Sequence, residues 1–177
     1  MMRAGRAFVF GDNIDTDALA PGAYMKGPIE ALLPHCLEAT DPAFARSVRP
    51  GDVVVAGRNF GIGSSREQAA QALKLLGVAA VIAQSFGGIF HRNALNLGLP
   101  VLACADAPRI RAGDLVRVDA AAGRIENETT GAVLSAEKLP GFLLEMLEAG
   151  GLVPYLERRL ATRRPAVPPK APRSGRA

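Results

Sequence analysis

One short segment combines the residue types and spacing needed to bind an anion beside two hydroxyl groups. Residues 57–67 read GRNFGIGSSRE, between an apolar run and a helical pattern. Gly61 and Gly63 allow backbone conformations closed to other residues and let a ligand approach the main chain. Ser64 and Ser65 follow at the expected start of the helix, where free backbone N–H groups favour an anion. The sequence therefore predicts an anion pocket with two hydroxyl groups beside it.

The same segment predicts how that helix begins. Ser64 and Glu67 have the spacing of a capping box, so the Ser64 hydroxyl should cap the helix while Glu67 reaches back. Arg66 adds a guanidinium that can clamp a carboxylate or phosphate. A phosphate loop is disfavoured because no Lys follows the glycines, and a dinucleotide fingerprint is disfavoured because Arg66 replaces its third glycine. A glycine turn before an ordinary capped helix is the alternative for this segment taken alone.

Two other polar segments follow predicted strands. Residues 11–17, GDNIDTD, place three carboxylates in one loop. A calcium loop is disfavoured because the glycine and the terminal Glu of an EF-hand are absent, and a polar turn with Asx hydrogen bonds is the alternative. Residues 85–93, SFGGIFHRN, run from a strand end into a helix, and His91 alone is more often a packing or surface residue than a catalyst.

The apolar pattern predicts an α/β fold that positions these segments. Apolar runs predict strands at residues 7–10, 53–56, 79–83, 101–104 and 115–118. Several of these runs are continuous, which is typical of strands buried on both faces. Helical periodicity covers residues 65–76, 89–97 and 142–149. Residues 111–135 predict short strands joined by turns, a ribbon appended to the sheet. Alternating strands and helices imply right-handed crossovers and a layered architecture.

Length, charge and composition limit the class of protein. The 177 residues fit one domain, residues 1–161, followed by a basic, proline-rich segment, residues 162–177, that we expect to be disordered. The net charge is +4, and the five basic residues of that segment leave the body near −1, so nucleic-acid binding is not expected. No run approaches the roughly 20 apolar residues of a membrane span, and the first residues lack a signal-type apolar run, so a cytoplasmic location is expected.

The cysteine count limits metal chemistry. Cys36 and Cys104 form no CxxC pair and no disulfide framework. An iron–sulfur cluster usually needs about three or four thiolates. We expect no metal site on this chain, and any such cluster must be carried by another chain.

The motifs together resemble one family. In order, GDNIDTD, GRNFGIGSSRE and SFGGIFHRNALNLGLP resemble the swivelling domain of the aconitase superfamily over roughly residues 5–157. The free-standing length resembles the small subunits of isopropylmalate isomerase or archaeal-type homoaconitase. The resemblance implies a three-layer β/β/α swivelling fold and a large partner subunit that carries a [4Fe–4S] cluster. It also implies dehydration and rehydration of a hydroxy-dicarboxylate through an unsaturated intermediate.

The resemblance also assigns roles to individual residues. Ser64 would be the alkoxide base that removes the proton beside a carboxylate. Ser65 and Arg66 would hold the substrate carboxylate, and Asp17 would orient Arg66 or the serine. A serine hydroxyl is far too weak a base unless backbone amides and an arginine stabilise its alkoxide.

Substrate choice in this family depends on the loop after the first motif, which here contains Tyr24, Met25 and Lys26. Met25 suits an isopropyl group and Lys26 suits an extra carboxylate. Isopropylmalate, in leucine biosynthesis, is the first expectation, and the alternatives are homoaconitate, the interconversion of citraconate and 2-methylmalate, and 2,3-dimethylmalate chemistry. Residues 87–88, Gly-Gly, replace an Ala-Arg pair of relatives and remove a cation near the site. A non-catalytic, carboxylate-binding regulatory module is therefore the alternative of another class.

Overall fold

A mixed seven-stranded sheet organises residues 3–163, the part of the chain that the computed structural model describes. Its parallel half contains β1 (Gly5–Val9), β2 (Val53–Ala56), β3 (Ala80–Ala83) and β4 (Val101–Ala103). Its antiparallel half contains β5 (Leu115–Asp119), β6 (Arg124–Asn127) and β7 (Ala132–Ser135). β1 joins the halves by pairing with β5, which gives the order β4-β3-β2-β1-β5-β6-β7. The predicted α/β class is confirmed.

The helices divide into short turns near the amino terminus and longer helices that follow the strands. Three single-turn helices are α1 (Thr16–Leu19), α2 (Ile29–Leu32) and α3 (Phe44–Ser47); the longer ones are α4 (Glu67–Leu75), α5 (Gly88–Asn96), α6 (Gly141–Ala149) and α7 (Leu152–Arg163). The pattern did not predict α1–α3 or α7. Because α7 is helical to Arg163, it extends two residues into the segment predicted to be a tail. Residues 164–177, the rest of that segment, lie outside the described residues.

Both faces of the parallel sheet are buried, which creates three layers. Successive side chains of a strand point to opposite faces. Val54 and Val81 therefore face a core shared with the helices, whereas Val53 and Ile82 face a second core. The antiparallel ribbon closes this second core with side chains such as Ile125. The resulting order of ribbon, sheet and helices is the predicted β/β/α arrangement.

The parallel strands bring three loops to one edge. The carboxyl ends of β1, β2 and β3 are adjacent, and open α/β sheets usually bind ligands at this edge. At the opposite end of α4, Lys74 donates through Nζ to the carbonyl groups of Leu97 and Gly150. This contact links the last turn of α4 to the ends of α5 and α6. Within residues 3–163, no helix has the length and apolar character needed to span a membrane.

Candidate active site

The loop after β2, residues 57–66, is hydrogen-bonded to the loops on both sides. Its Gly61 N–H donates to the Ile14 carbonyl in the loop after β1, at 2.7 Å. Its Phe60 N–H donates to the Ser85 carbonyl in the loop after β3, at 3.0 Å. The three polar segments that were far apart in sequence therefore form one continuous surface at the carboxyl edge of the sheet.

The carboxylates of the first loop are mostly structural. Asp12 accepts the Arg58 backbone N–H at 2.8 Å, and this hydrogen bond lowers the pKa of the Asp12 carboxyl. Asp15 caps α1 by accepting the Ala18 N–H at 2.8 Å. Only Asp15 therefore makes the local, Asx-type hydrogen bond expected from the alternative for this loop, because the partner of Asp12 lies 46 positions away in the sequence. The third, Asp17, is directed to a different partner, described below.

Gly61 and Gly63 permit close packing of these loops. Gly61 has a φ of 76°, and a Cβ there would lie 2.2 Å from Cγ of the buried Phe90. Gly63 has a φ of 120°, and a Cβ there would lie 2.9 Å from the Thr16 hydroxyl oxygen. Positive φ in this range favours glycine. Both residues are therefore required by the backbone path and by contacts with neighbouring loops, in addition to any contact with a ligand.

The two serines are exposed, and Ser64 is held by a threonine. The Ser64 N–H donates to the Thr16 hydroxyl oxygen at 3.0 Å, and the two hydroxyl oxygens are 3.1 Å apart. The predicted capping box is wrong, because α4 begins at Glu67 with Arg66 as its N-cap residue and no side chain caps it. The Ser64 hydroxyl therefore lies outside the first turn of α4, and its partner is the hydroxyl of Thr16, the first residue of α1.

The start of α4 presents free hydrogen-bond donors beside the serines. Within the described part of the chain, the backbone N–H groups of Ser65, Arg66 and Glu67 make no hydrogen bond. The first N–H groups of any helix lack intrahelical partners, and an anion can satisfy them. The free donors on which the anion-pocket prediction depends are therefore present, although the cap that was predicted with them is not, and anion binding itself stays a prediction.

Arg66 and Asp17 form an ion pair at the edge of this surface. Arg66 Nη1 donates to the Asp17 carboxylate and also to the Ala20 carbonyl, the latter at 3.2 Å. The side chain of Arg66 is 25% exposed and that of Asp17 is 68% exposed. An ion pair this exposed contributes little stability, so its main effect is to fix the direction of the guanidinium. Asp17 was expected to orient either Arg66 or the serine, and in the structure it contacts Arg66.

The loop with the candidate substrate contacts is adjacent to Arg66. A Cβ built on Gly22 would lie 3.6 Å from Arg66 Nη2, and the turn Gly22–Tyr24 starts there. Tyr24 stacks on His35 with ring centroids 3.6 Å apart, and the half-buried Met25 packs against the helix-side core. Lys26 is exposed. The serines, Arg66 and Asp17 are thus assembled in this chain, whereas Tyr24 and Met25 are directed toward the protein interior.

Comparison with known proteins identifies the family. Residues 37–106 match the family model described as the aconitase C-terminal domain. The 3-isopropylmalate dehydratase small subunit of Moorella thermoacetica is 47% identical over 92% of this chain and 99% of that protein. The chain belongs to the family of 3-isopropylmalate dehydratase small subunits. A second family member, the isopropylmalate/citramalate isomerase small subunit of Methanocaldococcus jannaschii, is 47% identical over 89% of this chain and 95% of that protein.

The fold agrees with this family. The crystal structure of a 3-isopropylmalate dehydratase from Methanocaldococcus jannaschii has a TM-score of 0.86 and 44% sequence identity with this chain. The match covers 92% of this chain and 97% of the crystallised one. The resemblance drawn from the three sequence motifs is therefore confirmed, and so is the swivelling-domain fold that it implied.

The cysteines of this family member do not fit an iron–sulfur cluster. Cys36 is fully buried in the helix-side core, and burial raises the pKa of its thiol to about 12. Cys104 lies in the other core, across the sheet, and burial also raises its pKa. Cluster ligation requires thiolates that converge on one point. Within residues 3–163, no group of three or more His, Cys, Asp or Glu side chains is arranged to hold a metal ion.

Thr16 is a residue of the site that the sequence patterns did not indicate. Thr16 lies within the quoted GDNIDTD motif, yet only its neighbour Asp17 received a role. The side chain of Thr16 is buried, with 3% of the residue exposed, and contacts Ser64 across 48 positions of sequence. In the sequence, Thr16 is only a hydroxyl-bearing residue inside a polar motif. Its contact with Ser64 becomes visible only when the fold brings the two segments together.

Proposed function

We propose that this chain is the small subunit of a 3-isopropylmalate dehydratase, a hydro-lyase that interconverts 2- and 3-isopropylmalate. The observation that carries the proposal is the assembly of Ser64, Arg66 and the free amides at one sheet edge, in a chain of this family. The reaction is inferred from the relatives, which are 3-isopropylmalate dehydratase small subunits. The proposal is supported by the groups at this edge, which can hold a carboxylate beside a hydroxyl group.

Binding of one substrate carboxylate starts the proposed reaction. The guanidinium of Arg66 has donors besides the Nη1 used by Asp17, and a planar guanidinium suits a carboxylate. Ser65, the residue before Arg66, adds two further donors, its free backbone N–H group and its exposed hydroxyl. These donors would hold the carboxylate so that the carbon beside it lies against Ser64.

Ser64 then acts as the proton acceptor. Its alkoxide oxygen forms an O–H bond with the proton of that carbon, and the electron pair of the broken C–H bond becomes the second bond of the double bond. The hydroxyl group of the neighbouring carbon leaves as hydroxide with the electron pair of its C–O bond, and a proton donor of the partner subunit would convert it to water. In rehydration, hydroxide from water adds to the carbon that lost the proton. The Ser64 hydroxyl returns its proton to the carbon that lost the hydroxyl group, which regenerates the alkoxide.

The exposure of the serines supports the need for a partner. An alkoxide is stabilised by preorganised donors most effectively in a site from which water is excluded. In this chain Ser64 and Ser65 are exposed to solvent. We therefore propose that a large subunit covers this edge, and that it carries the [4Fe–4S] cluster for which residues 3–163 present no converging ligands. Both cysteines are free, which supports a reducing, cytoplasmic location for the assembly.

Isopropylmalate is the proposed substrate, with contacts from the loop that contains Tyr24, Met25 and Lys26. Met25 packs against the helix-side core in this chain, so its proposed contact with the isopropyl group requires the loop to turn outward in the assembled enzyme. A second candidate substrate, citramalate (2-methylmalate), is favoured by the relative named as an isopropylmalate/citramalate isomerase small subunit. Its smaller methyl group would fit the same apolar contact.

Co-expression with the large subunit tests the proposal. The pair would be reconstituted anaerobically and assayed by ultraviolet absorbance for the unsaturated acid. The panel would contain isopropylmalate, citramalate, homoaconitate and 2,3-dimethylmalate. We expect turnover of isopropylmalate by the pair and none by either subunit alone.

The panel also separates the alternatives. Preference for a tricarboxylate would assign the substrate contact to Lys26 and identify a homoaconitase-type enzyme. No turnover of any acid, together with saturable carboxylate binding, would favour the non-catalytic module that the Gly87–Gly88 departure suggested. In the structure a Cβ on Gly88 would meet no atom within 4 Å, so the Cβ of an arginine introduced by Gly88→Arg would meet no obstruction.

A further inference from the structure

Thr16 is a buried hydroxyl-bearing residue whose backbone is fixed on both sides. Its N–H donates to the Ile62 carbonyl at 2.9 Å, and its carbonyl accepts the Ala20 N–H at 2.9 Å. As a β-branched residue, threonine has few accessible side-chain rotamers. The Thr16 hydroxyl is therefore held in one place relative to the loop that carries Ser64.

The hydrogen-bond inventory of this hydroxyl determines its direction. Thr16 Oγ1 accepts the Ser64 N–H, which leaves its own hydrogen available for donation. The acceptor within reach is Ser64 Oγ, at 3.1 Å. Either hydroxyl can donate while both carry a hydrogen. Once Ser64 is an alkoxide it has no hydrogen, so Thr16 must be the donor.

Gly63 provides the space for this arrangement. A Cβ on Gly63 would lie 2.9 Å from Thr16 Oγ1, closer than real Cβ atoms approach. Any larger residue at position 63 would displace the hydroxyl or the serine loop. The glycine before the serine pair therefore serves the contact between Thr16 and Ser64.

We propose that Thr16 is a positioning residue for the proposed reaction: it orients Ser64 through the Ser64 N–H and stabilises the Ser64 alkoxide by donating its hydroxyl hydrogen. This inference rests on the proposed function. Donation to the charged form of an acid lowers its pKa. Thr16 thus makes Ser64 a base at a lower pH than an isolated serine would allow.

The test compares Thr16→Val with Thr16→Ser in the reconstituted pair. Valine keeps the shape of threonine and removes the hydroxyl, whereas serine keeps the hydroxyl. We expect Thr16→Val to lower kcat about 100-fold, in the range for loss of one preorganised donor to an oxyanion. The rising limb of the kcat–pH profile should move to higher pH, while KM changes little. Thr16→Ser should restore most of kcat and the original profile.

Thr129→Val is the matched control. Thr129 Oγ1 also accepts a backbone N–H, from Leu115 at 2.8 Å, but in the ribbon rather than at the carboxyl edge of the sheet. This variant should leave kcat and the pH profile unchanged. A Thr16→Val enzyme with an unchanged pH profile and only a lower melting temperature would overturn the proposal, since Thr16 would then be merely structural.

Amide hydrogen exchange gives a readout that needs no turnover. The Ser64 N–H should exchange slowly in the free small subunit, fast in Thr16→Val and slowly in Thr16→Ser. If Thr16→Val fails to fold, Thr16→Cys, with a weaker donor, should show the same direction in both measurements. Absence of turnover by the wild-type pair would contradict the proposed function, whereas an unprotected Ser64 N–H in wild type would contradict the role of Thr16.

Discussion

Replacing Gly61 by alanine should destabilise the protein by about 3 kcal/mol, because two separate penalties add. A non-glycine residue in the left-handed region costs roughly 1–2 kcal/mol, and Gly61 has a φ of 76°. The new methyl group would also lie 2.2 Å from Cγ of Phe90. Phe90 is 1% exposed and packs edge-on against Phe60 with centroids 5.2 Å apart, so it cannot move aside freely. Overpacking of this kind costs about 1–3 kcal/mol.

Gly131→Ala separates the two penalties. Gly131 has a φ of 75°, almost the same as Gly61, but a Cβ there would meet no atom within 4 Å. The Gly131→Ala variant should therefore lose only the cost of the left-handed backbone conformation, roughly 1 kcal/mol of unfolding free energy. The additional loss in Gly61→Ala, about 2 kcal/mol, measures the contact with Phe90.

Urea denaturation of the two variants and the wild-type small subunit provides the measurement, supported by thermal melts. A loss of about 3 kcal/mol corresponds to a melting temperature roughly 10 °C lower for a chain of this size. Equal losses in Gly61→Ala and Gly131→Ala would refute the packing argument. In that case the close approach of the serine loop to α5 would not be a constraint on the site.

Three further outcomes follow from the described contacts. Lys74→Met should cost about 1 kcal/mol in urea denaturation, because the carbonyl groups that end α5 and α6 lose a charged donor; an unchanged midpoint would contradict this. A thiol reagent at pH 8 should leave Cys36 unmodified in the native protein and react in urea, because burial raises its pKa to about 12. The Arg111 N–H and the Asn127 amide lower the pKa of Asp114 below its ordinary 3.8. Ionised Asp114 therefore stabilises the fold at neutral pH, and the stability deficit of Asp114→Asn should shrink below pH 3.8; a deficit independent of pH would contradict this assignment.

The elements that bury continuous apolar runs were predictable from the sequence. Strands β2 and β3 coincide closely with runs at 53–56 and 79–83, because both faces of these strands are buried and every residue is apolar. Helix α7 was missed because its residues carry charges and little core burial, and Pro154 stands in its first turn. Its position depends on packing against α5 and α6, which no local pattern specifies.

The site was predictable in its components but not in all its contacts. The glycines, the serines and Arg66 form a local motif, so their proximity follows from the sequence alone. The contact of Thr16 with Ser64 joins loops 48 positions apart, and it depends on the adjacency of β1 and β2. The prediction that Ser64 caps α4 was wrong for the same reason, because Thr16, which is distant in sequence, is the hydrogen-bond partner of the Ser64 hydroxyl. Long-range hydrogen bonds of this kind appear only once the strand order is known.

The most direct test of the central claim is the turnover of isopropylmalate by the reconstituted pair with Ser64→Ala, beside a Ser135→Ala control on β7. Loss of a general base typically lowers kcat by about 100- to 10,000-fold. We predict such a loss for Ser64→Ala, with assembly of the two subunits intact, and wild-type turnover for Ser135→Ala. Full turnover by an intact Ser64→Ala pair would contradict the assignment of Ser64 as the proton acceptor.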